Sequence, residues 1–411
     1  MKKQSKISLK QTTILCLALV LALFPVIAPF KATECASNSV LEASQELNSS
    51  VIEELEQIDF SSLDEIVNEF NTSKGNIFSL QNIKAKVYSI ISGESAVDYS
   101  NVLGSIFSLL IDLVIRYLPL LSVIVAIGVI SNMLEGFKSK FNEKSTSNLI
   151  HIVCFFAVVV LVIGVVTGLT TSATSSINQM VKQMNILFPI LLTLMTGMGA
   201  STSAGMFQPI IAIMSTYIAD VFSYFIVPLF VISFVFNIIS NISDNVKLDK
   251  FSSFISSLFK WSLGIIFTVF FAVISIQGIT AGSFDSLSIR TTKYTIKSYV
   301  PLMGGYLSDG MDIILASTML IKNSIGLVGA LLIISNIISP ILEIAILSLF
   351  LKLIGAILEP LGNSKTSNFL TEASKSVTII SSSILAIGFM YLLSVGLIMM
   401  VAGGVVWKVI Y

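Results

Sequence analysis

The chain has 411 residues, of which 54% are hydrophobic and only 12% charged, and its mean hydropathy is +0.90. Soluble domains carry about a quarter charged residues, so this composition excludes an ordinary soluble fold and reads as an all-α polytopic membrane protein. Formal net charge is zero, and no basic cluster points to nucleic acid as a partner.

Residues 1–35 read as a signal peptide or signal anchor. Lys2, Lys3, Lys6 and Lys10 precede an apolar run from Ile14 to Phe30 that Pro25 and Pro29 interrupt, which makes it short for a stable span. Residues 36–100 then form an acidic arm expected outside the cytoplasm. Glu42, Glu46, Glu53, Glu54, Glu56, Asp59, Asp64, Glu65 and Glu69 lie in it, and no Lys or Arg falls between Lys31 and Lys74. Leu47, Val51, Leu55 and Ile58 recur at helical spacing, as do Ile77, Leu80, Ile83, Val87 and Ile90 further on. A solvated tether fits the acidic part, and so does an arm that docks on a partner.

Residues 101–411 are the multi-span membrane domain, and it repeats. Leu118-Pro119-Leu120-Leu121 is followed by Ile130-Ser131-Asn132, and at the same offset Val227-Pro228-Leu229-Phe230 is followed by Ile239-Ser240-Asn241. A third copy starts at Ser339-Pro340-Ile341-Leu342. Tandem copies that share one orientation need an even number of crossings each, so the domain is expected to hold six to eight membrane helices in three same-facing repeats. The polar loops after the proline helices carry Lys140, Lys250 and Lys365, which the positive-inside tendency places in the cytoplasm.

Two stretches depart from plain membrane helices. Tyr299–Gly329 carries Pro301, Gly304, Gly305, Asp309, Asp312, Lys322, Asn323 and Gly326; its repeat partner carries Pro189, Gly197, Gly199 and Asp220. A broken or re-entrant segment lining a polar path accounts for them. So does an interfacial turn in which Asp309 and Asp312 cap a helix start and Lys322 reaches the head groups. Asp112 and Arg116, four apart, suit an ion pair within one helix, and Glu343 is expected to face the bundle interior.

Cys16, Cys35 and Cys154 have no disulfide or metal-ligand spacing, and no catalytic group can be assembled around the lone His151. Neither an enzyme nor a cofactor is expected.

Val300-Pro301-Leu302-Met303-Gly304-Gly305, Leu307-Ser308-Asp309, Lys322-Asn323 with Gly326 and Gly329, and Leu358-Glu359-Pro360-Leu361-Gly362 together resemble the stage III sporulation protein AE family. That resemblance implies a multi-pass protein of the mother-cell membrane around the engulfed forespore. It also implies a complex with other stage III sporulation A proteins and stage II sporulation protein Q, thought to act as a channel. The expected function is a channel- or permease-like subunit; the alternative is a stand-alone secondary transporter of a small solute.

Overall fold

The computed structural model describes residues 49–74, 82–93, 99–137, 144–242, 248–299, 303–361 and 364–410. The signal segment, the first residues of the arm and Pro301 lie outside the described residues. Residues Leu47–Tyr411 form one compact unit. Every regular element described in it is helical: α1 (49–57), α2 (Ser61–Lys74), α3 (Ile83–Ile91), α4 (Tyr99–Phe137), α5 (Lys144–Gly197), α6 (Ser201–Val221), a π-helical turn (Phe222–Ile226), α7 (Val227–Ile242), α8 (Asp249–Tyr299), α9 (Gly304–Leu358) and α10 (Ser364–Ile410).

Six stretches among the described residues are long and apolar enough to cross a membrane: Asn101–Met133, Ile152–Gly197, Thr216–Ile242, Lys250–Ile276, Gly304–Leu358 and Ser364–Met400. They pair as three antiparallel hairpins, α4 with α5, α7 with α8 and α9 with α10. Ser233 lies 3.0 Å from Ser256 across the second hairpin, and Ser348 lies 2.8 Å from Ser374 across the third. Each hairpin holds one of the repeat prolines, Pro119, Pro228 or Pro340, in its first helix. The sequence repeat is therefore a helical hairpin repeated three times.

The hairpins close on one another through aromatic and small residues. Phe369 of α10 meets Phe155 of α5 and Phe234 of α7, with ring centroids 5.5 and 6.3 Å away. A Cβ added to Gly128 of α4 would lie 2.1 Å from Leu358 of α9, and within the third hairpin one added to Gly388 would lie 2.1 Å from Ile337. Close approach of this kind drives helix association where lipid is as apolar as the side chains.

The apolar length that suggested re-entrant or broken segments lies in long helices with breaks between them. The 55 residues of α9 span about 80 Å at about 1.5 Å per residue, against a hydrocarbon core of about 30 Å. From Leu315 onward neighbouring helices bury much of this length, whereas Tyr306, Leu307 and Ile314 near its start are exposed. The breaks are helix ends, one in the turn at 198–200 and one just before Gly304. Gly199 takes φ +78° in the first of them, a conformation glycine adopts without strain.

The described part of the arm is packed rather than loose. Val51, Leu55, Phe60, Leu63, Val67, Ile83 and Val87 are all buried. Glu54 accepts hydrogen bonds from Ser317 at 2.8 Å and Thr318 at 3.0 Å on α9. Asp64 accepts one from the amide of Ile83 at 3.0 Å, joining α2 to α3. The Ser61 hydroxyl and amide beside the exposed Asp59 hold its carboxyl below the ordinary value. The described part of the arm thus packs on α9 through Glu54.

Candidate functional site

A column of polar side chains runs along α9 through an otherwise apolar bundle. Helix period sets it out, since Lys322, Asn336 and Glu343 are spaced at multiples of seven residues and stay near one face over two turns per seven.

Glu343 is the best-connected member. Its carboxylate accepts from Tyr117 at 2.9 Å and from Ser172 at 3.1 Å, and lies 3.5 Å from the Arg116 guanidinium. Three helices, α4, α5 and α9, meet at this one side chain. The pair expected within α4 is accordingly corrected: Arg116 turns to Glu343 on another helix, and Asp112 is exposed. An inward-facing carboxylate draws the cation across because it is only 14% exposed, and leaving it unpaired would be costly.

Lys322 is fully buried, and its Nζ donates to the carbonyls of Ile398 at 3.2 Å and Met399 at 3.0 Å on α10. It does not snorkel. Among the described residues no carboxylate comes within ion-pair distance of Lys322, and two peptide carbonyls are its hydrogen-bond partners. Asn323 follows, with its Oδ1 buried and without a hydrogen-bond partner. Gly326 and Gly329 let α10 and α5 approach, since an added Cβ would lie 2.6 Å from Met399 and 2.2 Å from Leu187.

Nearer the start of α9, Asp312 pairs with Lys293 of α8. This explains why a lysine sits in the polar end of α8, and it replaces the capping role considered for Asp312. The helix begins after Met303 without a side-chain cap. Gly304 packs on α8 backbone, where an added Cβ would lie 2.7 Å from the Ile296 carbonyl oxygen, whereas Gly305 faces open space. Asp309 lies in the second turn of α9.

The partner stretch is built differently. Pro189 lies within α5, Gly197 ends that helix, and Asp220 is exposed near the end of α6. Neither proline nor carboxylate there joins the α9 column. The break is held instead by Asp285 of α8, buried to 1% exposure, whose two oxygens accept from the amides of Thr202 at 3.1 Å and Ser203 at 2.9 Å. These are free amides of the first turn of α6, whose own N-cap, Ala200, offers no side-chain bond. Sequence reading missed Asp285 because it caps a helix more than eighty residues away.

Asp285→Ala is expected to lower stability by about 1–3 kcal/mol, the cost of a lost cap together with the buried amide of Ser203 and the part-buried amide of Thr202 left unpaired. Thermal unfolding of the purified protein in detergent measures this. A change within about 0.5 kcal/mol would mean that water replaces the carboxylate.

The molecule so defined is a polytopic helical membrane protein with a buried polar column and no described metal-binding cluster. A family model described as stage III sporulation protein AE matches residues 81–403, and the chain belongs to that family. It is similar to the stage III sporulation protein AE of Bacillus subtilis (strain 168), 24% identical over 334 residues that cover 81% of this chain and 84% of that protein. No solved structure matches.

Proposed function

We propose that this sporulation protein is a channel- or permease-like subunit of a mother-cell to forespore transport complex. The observation that carries the proposal is the polar column. A bilayer protein places a buried lysine held only by peptide carbonyls and a triply contacted carboxylate in its interior at a cost in stability, which a purely structural helix bundle has no reason to bear. The family relation supports a role in sporulation, and other stage III sporulation A proteins and stage II sporulation protein Q are the proposed partners. The protein sits in the mother-cell membrane with the arm on the extracytoplasmic side.

Purification and genetics together test this. A deletion strain should grow normally and arrest sporulation after engulfment, and a tagged chain purified from sporulating cells should bring other stage III sporulation A proteins with it. Recovery of the chain alone, with solute uptake in liposomes, would favour a stand-alone secondary transporter.

A further inference from the structure

The seam between α5 and α9 contains side-chain amides that the contacts described above leave unused. Its register is set at two points. Ser172 donates to Glu343, and Leu187 fills the space over Gly329. Seven residues on from Ser172 is Gln179, and seven back from Glu343 is Asn336. Because the helices are antiparallel, these two come level, with Gln183 one turn further along α5.

All three carry buried atoms without a hydrogen-bond partner: Gln179 Oε1, Gln183 Oε1 and Nε2, and Asn336 Oδ1 and Nδ2. Gln183 is 2% exposed and Asn336 0%. A single orphaned amide is a packing cost of about 1–3 kcal/mol. Three of them on the facing sides of two helices, one turn apart, mark a place that receives something polar.

The chemistry of the orphaned atoms narrows what that is. A bare cation would use the oxygens and repel the two amide nitrogens, and an anion would do the reverse. A molecule that both donates and accepts satisfies both kinds of atom. Of the ionisable groups nearest along these two helices, Glu343, about 10 Å away along α9, is engaged with Arg116, Tyr117 and Ser172, and Lys182, beside Gln183 on α5, is exposed.

We propose that Gln179, Gln183 and Asn336 form an occluded binding site for uncharged hydrogen-bonding molecules, either water or a small polar non-electrolyte. The site is a property of the seam and holds whatever the assembled complex transports.

Thiol reactivity of the full-length protein in lipid nanodiscs tests it. In a background with Cys16, Cys35 and Cys154 changed to alanine, Gln183→Cys and Asn336→Cys are made singly. Leu191→Cys and Ile333→Cys, at positions 0% exposed on the same helices, serve as controls. Methyl methanethiosulfonate is attacked at its sulfenyl sulfur by the thiolate, with methanesulfinate leaving, and the thiolate forms readily only where the thiol meets polar surroundings. The two site cysteines are expected to react about tenfold faster than the controls or more. Slowing by millimolar glycerol or formamide identifies a non-electrolyte as the occupant, and indifference to both identifies water. Rates equal to those of the controls overturn the proposal.

Gln183→Leu and Asn336→Leu provide a second reading that does not need reactive thiols. An amide with no occupant is relieved by an apolar replacement, so a raised thermal midpoint in either variant also overturns the site; a lowered one supports it. A sporulation-neutral deletion strain would refute the proposed function and leave this result standing.

Discussion

Glu343→Leu is expected to reduce heat-resistant spores by orders of magnitude and to destabilise the purified protein by about 2–5 kcal/mol. The substitution keeps the volume of the side chain and removes its oxygens. Tyr117 and Ser172 then lose their acceptor, and Arg116 loses its counter-charge. The size of the effect comes from the partners left behind more than from the pair itself. Arg116 is 66% exposed, so Arg116→Gln should cost no more than about 1 kcal/mol. Tyr117→Phe, which removes one donor and leaves the carboxylate with others, should fall between the two. Thermal unfolding of the three variants, with spore counts and membrane abundance beside it, gives the order. If Arg116→Gln costs as much as Glu343→Leu, the ion pair dominates and the hydroxyl contacts are secondary.

Gly304→Ala and Gly305→Ala are expected to differ sharply although the positions are adjacent. At Gly304 the new methyl meets the carbonyl oxygen of Ile296 at 2.7 Å and the Cα of Lys297 at 3.1 Å, all backbone. Backbone cannot rotate away as a side chain can, so α8 and α9 must separate, at a cost of about 1–3 kcal/mol. The Lys293–Asp312 pair, two turns further along the same contact, would be pulled apart with them. At Gly305 the methyl enters open space, and the gain in helix propensity should stabilise α9 by as much as about 1 kcal/mol. Differential scanning fluorimetry in detergent separates the two. Equal effects of the same sign would mean that the α8–α9 contact at this end is not rigid.

The close approach at Gly304 also explains why a glycine pair in an apolar stretch misleads. Read along the chain, Gly304-Gly305 beside Pro301 and two aspartates has the composition of an unwound segment at membrane depth. In the fold one glycine makes a helix crossing, the other makes nothing, and Asp312 serves the neighbouring helix.

Class and repeat were legible in the sequence, and the number of spans only as a range of six to eight. Each is a property of one segment at a time: apolar length counts spans, and the offsets between Pro119, Pro228 and Pro340 mark the hairpins. The inward bias of Glu343 was legible for the same reason, because a carboxylate in an apolar helix has only one inexpensive direction to face. The partners were not. Helical periodicity says which residues share a face, and nothing in it says which helix comes opposite. Only the tertiary structure could turn Arg116 away from Asp112, place Asp285 on the amides of Thr202 and Ser203, or lay Glu54 of the arm on Ser317 and Thr318. It also decided the fate of the surplus apolar length, since a helix about 80 Å long is stable past the bilayer only where neighbours of similar length bury it.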